Sequence, residues 1–253
     1  MIMNKESEHF KFYNGVVLYP LLFVLVMWFV FWLEIKYSLD FTRWGVKPRT
    51  VKGLRGILFS PLIHSGIKHL WHNTIPLLVL STALFYFYRK ISWRVLVLLI
   101  LLSGAGTWMI GRVSYHIGMS GVIYALVSFL FFKGILAKYF RLIALSLVVV
   151  FLYGSLIWGT LPTSESISWE GHLSGFIAGG LVALCFRESV PKPVTYSWEQ
   201  PEYIADQDPF MQQFDKNGNF FELPPEIEQD EEAERIVINY EYKERKTPQK
   251  GDL

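Results

Sequence analysis

Hydrophobic and polar positions fall into long blocks along this chain instead of alternating. Uncharged, mostly apolar runs lie at Val16 to Leu33, Leu70 to Tyr88, Val95 to Ile110, Ile117 to Phe132, Leu142 to Leu161 and His172 to Phe186. A helix needs about 20 residues, in a range of roughly 17 to 25, to cross a bilayer. The first, second and fifth runs meet that length outright. The other three must borrow flanking residues or sit where the bilayer thins. The pattern predicts an all-α membrane protein, a six-helix transmembrane bundle. It divides the chain into an N-terminal cytoplasmic segment 1–15, a membrane domain 16–189 and a polar, acidic C-terminal tail 190–253. Met1 to Tyr13 lacks the apolar core and small-residue site of a cleavable signal, so the first run is expected to stay as an anchor.

Composition agrees with the membrane assignment. Hydrophobic residues make up 52% of the chain and aromatic ones 17%, too much for an ordinary soluble domain. Charge divides the chain, with a balance of +10 up to Ser189 and −8 from Val190 onward, which together give the net +2. A basic membrane portion suits anionic lipid headgroups, so the lipid bilayer is one expected partner. No arginine-rich helix or aromatic-basic pattern points to nucleic acid. The tail composition predicts disorder, with an acidic run at Glu226 to Glu232, one short strand at most at Arg235 to Tyr240, and a turn at Asp215 to Asn219. Such a segment could take a cytosolic partner. Cys185 is the single cysteine, which excludes an intrachain disulfide.

Basic residues in short loops prefer the cytoplasm. Arg89, Lys90 and Arg94 join helices two and three, Lys133, Lys138 and Arg141 join four and five, and Arg187 follows six. Both termini are therefore expected to be cytoplasmic, in a multi-pass protein of the cell membrane. The basic segment Glu34 to His69 departs from the rule and is read as a structured loop in the outer interface, its cations snorkelling. With this topology helices two, four and six all begin on the outer side, and each begins with polar residues: His69, His72 and Asn73, then Ser120, then His172. Polar groups at membrane depth are costly and usually face a protein interior or a wet cavity.

The stretch Gly118-Met119-Ser120-Gly121 opens the fourth run. Its glycines leave the serine hydroxyl open, and the unpaired amides of a first helical turn offer donors to a developing negative charge. Gly121 and Ala125, like Gly175 and Gly179, are four apart, the small-xxx-small spacing that lets helices approach closely. Packing helix four on helix six through these residues would carry His172 toward Ser120.

Four features thus stand in order: His69-x-x-x-Asn73, Gly118-x-Ser120-Gly121, Tyr124 one turn on, and His172-x-x-Gly175-x-x-x-Gly179. Together with Gly45-Val46-Lys47-Pro48-Arg49 and the approach Ser60-Pro61-Leu62-Ile63-His64, they resemble the rhomboid family of intramembrane serine proteases, over about Val16 to Phe186. The resemblance implies a Ser-His dyad without an acidic third member, in keeping with helix cores read here as free of Asp and Glu. Ser120 would be the nucleophile and His172 the base. His69, Asn73 and the Ser120 amide would hold the oxyanion, and Tyr124 would stack on His172. It also implies membrane-anchored protein substrates that enter sideways past helix five, unwind, and carry a small residue before the cut. Gly171, where many relatives have alanine, is read as extra room, and Arg43-Trp44 is assigned no role.

Two other readings concern the same residues. A non-catalytic relative that binds or escorts membrane clients would be expected to have lost Ser120 or His172. His64, His69, His72 and His116 could be read as a metal cluster, but no acidic partner and no His-Glu-x-x-His accompany them, so neither metal nor organic cofactor is expected.

Overall fold

A computed structural model of the chain describes residues 12–152, 160–162, 168–186, 196, 198 and 200–222. Among these residues six α-helices exceed a single turn: α1 (Gly15–Tyr37), α2 (Ile67–Phe87), α3 (Ser92–Ile110), α4 (Ser120–Leu136), α5 (Phe140–Leu152) and α6 (Trp169–Cys185). No strand is formed among them, and the expected all-helical bundle is the observed class. Helices α1, α2 and α3 are long and apolar enough to cross a membrane. The third run reaches 19 residues by recruiting Ser92, Trp93 and Arg94 ahead of its apolar part. Residues 153–159 of the fifth run lie outside the described residues, as do residues 1–11, the acidic run and the strand candidate of the tail.

Helix α4 forms the middle of the membrane domain. Every residue from Val122 to Leu130 is buried, as expected of a helix apolar on all sides. It packs against α6, α5, α2 and α3, while α1 packs on α2. The outer face of α1 exposes Leu18, Leu21, Leu22 and Leu25. Its inner face is fixed by Trp28, whose indole N–H donates to Thr74 Oγ1 at 3.0 Å.

The tightest packing joins α4 to α6. A Cβ on Gly175 would overlap the Gly121 carbonyl oxygen, and one on Gly179 would overlap that of Ala125. The Ser128 hydroxyl donates to the Phe176 carbonyl at 2.6 Å across the same seam. Lys133, read from the sequence as part of the loop between helices four and five, instead lies buried in the last turns of α4. Its ammonium donates to the Phe186 carbonyl at 2.8 Å, just past the end of α6. A cation there meets the negative end of the helix dipole and an orphan carbonyl, which explains how a charge is tolerated inside.

The basic segment between α1 and α2 is structured, as expected, by short 3-10 turns at Thr42–Trp44, Val51–Arg55 and Ser60–Leu62 and one helical turn at Gly56–Phe59. Val46 exchanges both backbone hydrogen bonds with His116, and Arg49 donates from its amide to the Trp108 carbonyl. Arg43 and Trp44 do have a part in this loop. The Arg55 guanidinium lies 4.4 Å above the Trp44 ring and donates to the Arg43 carbonyl.

The chain separates into two compact units, Met1–Pro193 and Val194–Leu253. In the second, residues 200–222 hold local turns. Asp215 Oδ1 accepts from the amides of Asn217 and Asn219 at 2.8 Å each, the turn expected at this stretch.

The α4–α6 seam can be tested by substitution. Gly179→Val places methyl groups against the α4 backbone and should cost about 3 kcal/mol, seen as a lower unfolding midpoint in detergent. Gly180 faces the Phe132 ring at an ordinary 3.5 Å. Gly180→Ala should therefore leave the midpoint unchanged or raise it by up to about 1 kcal/mol of stability. Equal behaviour of the two variants would contradict the seam.

Candidate active site

The site is assembled where the N-terminal ends of α2, α4 and α6 meet. Gly118 makes the turn into α4 at φ +106°, a conformation other residues rarely adopt. Its amide donates to the Ser60 carbonyl at 2.8 Å, which ties the turn to the segment before α2. A Cβ at this glycine would meet His69 Nε2 at 2.7 Å and approach Asn73 Nδ2 at 3.6 Å. Two donor-bearing side chains from α2 therefore converge beside the turn that presents Ser120.

Ser120 is the first residue of α4, so its amide has no acceptor within its own helix. Its Oγ lies 2.9 Å from His172 Nε2, across the seam made close by Gly121 and Gly175. The His172 ring stacks on Tyr124, with centroids 4.2 Å apart and planes 11° from parallel. That contact fixes the ring orientation that a serine hydroxyl needs from an acceptor. All ten side chains or glycines singled out from the sequence lie either in this cluster or on the seam beneath it.

Asn73 is buried, and its Nδ2 has no hydrogen-bond partner among the described residues. An unpaired buried donor costs free energy in the resting protein. His69 Nδ1 is 3.2 Å from the Ser65 hydroxyl. When that hydroxyl donates, the His69 proton sits on Nε2, the nitrogen nearest Gly118.

The remaining histidines are spread over separate tasks. His64 is buried, with Nδ1 3.3 Å from the Leu62 carbonyl and its ring edge-on to His69. Burial, reinforced by the nearby His69, pushes it down to about 3, so it stays neutral. His72 is exposed and bonded to the Lys68 carbonyl. His116 is buried in the loop between α3 and α4, its Nδ1 2.5 Å from the Ser168 hydroxyl and its Nε2 3.1 Å from the Arg112 carbonyl. Burial holds its titration below the ordinary imidazole value, and the Arg112 charge acts the same way. The bond to the Arg112 carbonyl and the Glu170 carboxylate oppose them.

Two expectations need correction. The helix cores are not free of acid: Glu170, in the first turn of α6, is 2% exposed. It precedes the apolar run by two residues, so a reading based on uncharged stretches passes over it. Its Oε1 accepts from the Arg112 amide at 3.2 Å and lies 3.8 Å from the Arg112 Nε. Nor is Gly171 spare room. A Cβ there would press on the Ser168 hydroxyl at 2.9 Å and make ordinary contact with the Thr107 hydroxyl at 3.5 Å, so the space is largely taken.

A cavity of about 30 Å³ opens beside Ser120, lined by the hydroxyls of Ser60, Ser103, Thr107 and Ser168 and by His116 among apolar neighbours. Its size, and the polar side chains among its mostly apolar lining, leave room for a water molecule.

Residues 52–189 match the family model of the Rhomboid domain. An uncharacterized protein of Mycobacterium tuberculosis is 38% identical over 149 residues, 55% of this chain and 62% of the relative. An uncharacterized protein of Mycobacterium leprae is 34% identical over 164 residues, 58% of this chain and 61% of the relative. The chain thus spans a little under two thirds of the curated relatives it matches. The family match begins in the basic loop, takes in every helix that bears a residue of the cluster, and runs past the end of α6. On that coverage the chain belongs to the rhomboid family of integral membrane proteins.

Proposed function

We propose that the protein is an intramembrane serine endopeptidase, a Ser-His dyad enzyme that cuts membrane-anchored proteins within or next to their spans. The observation that carries this reading is the 2.9 Å approach of Ser120 Oγ to His172 Nε2 beside a buried donor, Asn73 Nδ2, that has no partner among the described residues. Family membership supports it, since rhomboids are generally intramembrane serine proteases.

In this reading the Ser120 oxygen attacks the scissile carbonyl carbon while His172 Nε2 takes the hydroxyl proton. The carbonyl oxygen becomes an oxyanion, met by Asn73 Nδ2, His69 Nε2 and the Ser120 amide. Collapse expels the amine, which takes the proton back from His172 and leaves an acyl ester on Ser120. Water from the adjoining cavity, deprotonated by the same imidazole, then attacks the ester and releases the acid. A helical peptide bond is shielded by its own hydrogen bonding, so the substrate must unwind locally before attack.

The basic residues of the α2–α3 and α4–α5 loops support cytoplasmic termini and a site toward the outer leaflet. Substrates would then enter laterally, past α5.

Three outcomes are expected in proteoliposomes carrying a single-span test substrate. Ser120→Ala should abolish both cleavage and labelling by a fluorophosphonate while keeping substrate binding; a cleaving Ser120→Ala variant would falsify the assignment. Asn73→Ala should lower the rate by about 10² to 10³-fold with Ser120 still labelled slowly. Hydrolysis should also fall on acidification through the imidazole range, because an imidazolium cannot accept the serine proton. His64, neutral down to about 3, should add nothing to that limb. A rate flat across the range would remove His172 as the base.

A further inference from the structure

Ser120 and His172 are not the only pair joining the loop ahead of α4 to the start of α6. Four residues earlier on each side stand His116 and Ser168, themselves bonded at 2.5 Å. The two bonds connect the same two segments at the same offset in sequence.

The chemistry of this second pair is defined. His116 Nε2 has the Arg112 carbonyl at 3.1 Å and the Ser114 hydroxyl at 3.4 Å; the nearer carbonyl can only accept, so that contact is a hydrogen bond when the proton is on Nε2. Nδ1 then accepts from the Ser168 hydroxyl. Ser168 is the N-cap residue of α6, yet its side chain makes no capping bond to its own helix. An N-cap serine ordinarily turns its oxygen onto the first-turn amides; here the hydroxyl is committed to His116. The Ser168 backbone carbonyl in turn accepts the amide of His172 at 3.1 Å. A continuous set of bonds therefore runs from the His116 ring through Ser168 to the backbone of the residue that faces Ser120.

His116 also fixes the other side of the site. Its amide and carbonyl pair with Val46, at 2.8 and 2.9 Å, anchoring the basic loop. One residue later comes Ile117, then Gly118 and the turn into α4. Arg112, whose carbonyl the ring holds, is held again by Glu170 of α6. The loop has no helix or strand of its own, so these side-chain and backbone bonds set its shape.

We propose that His116, acting through Ser168, is a positioning residue for the Ser120–His172 pair, holding the nucleophile's loop and the base's helix in register. The inference rests on the protease reading above. Misplacement by about 1 Å can cost on the order of 10²-fold in rate, so partial loosening at a second bond one step away should cost about tenfold.

The test uses the full chain in detergent and a fluorophosphonate whose labelling is resolved into a maximal rate and a half-saturating concentration. Ser168→Ala removes one hydroxyl and should lower the maximal rate about tenfold, leave half-saturation within twofold and keep the unfolding midpoint. Ser168→Thr, which keeps the donor, should restore the rate. His116→Ala should match Ser168→Ala, and the double variant should be no slower than either single one, since the two act as a unit. Should His116→Ala fail to fold, Ser168→Ala and its threonine rescue still decide the matter. A Ser168→Ala protein labelled at the wild-type rate overturns the inference alone, and so does a loss that follows the unfolding midpoint with no rescue by threonine. A wild-type chain that is never labelled at Ser120 removes the protease reading, and this inference with it.

Discussion

The site depends on the distance between two helix backbones. Glycine at 175 and 179 lets α6 sit against the carbonyls of Gly121 and Ala125, closer than any side chain would permit. Inside a membrane such contact is not driven by expulsion of water, because lipid tails are as apolar as leucine. It is held by van der Waals packing and by hydrogen bonds across the seam. The Ser128–Phe176 and Lys133–Phe186 bonds are of that kind, and they lie along the same line as Ser120 and His172. The dyad geometry is thus the upper end of a packing arrangement that extends down the bundle.

Much of this was legible in the chain. Uncharged runs marked the helices because a bilayer-spanning segment must be apolar for its whole length. Small residues four apart marked the seam, since only they allow the approach. Gly118, Ser120 and His172 were visible because polar or flexible residues at the head of an apolar run are out of keeping with their surroundings. His69 and Asn73 stood out as polar residues at the head of the second run, whereas their roles, and Tyr124 altogether, came through the family resemblance; the structure sets all three beside the pair.

What was not legible shares one cause. Glu170 and Lys133 stand at the edges of apolar runs, where a reading by hydropathy assigns charged residues to loops and to solvent. Their burial is made tolerable by partners far away in sequence, Arg112 for one and the Phe186 carbonyl for the other. The His116–Ser168 bond spans 52 residues and joins types that are individually unremarkable in loops. Gly171 was misread for the same reason, because the hydroxyls of Thr107 and Ser168 that crowd it come from elsewhere in the chain. Local pattern identifies which residues are unusual, and tertiary context decides what each unusual residue is bonded to.

The buried, partnerless Nδ2 of Asn73 completes the argument from energetics. Leaving a donor unsatisfied costs about 1 to 3 kcal/mol, and a membrane protein could avoid that cost with an apolar residue of similar shape. An acceptor supplied at that place would offset the cost. In the protease reading proposed above, an oxyanion formed at Ser120 would be a strong acceptor and a planar substrate carbonyl a weak one, so the orphan group would favour the tetrahedral state over the bound peptide. In that reading rigid packing matters, because a donor free to turn would find another partner before a substrate arrived. The close seam between α4 and α6 and the cross-bonded loop above it therefore serve one end, which is to keep unsatisfied groups from relaxing.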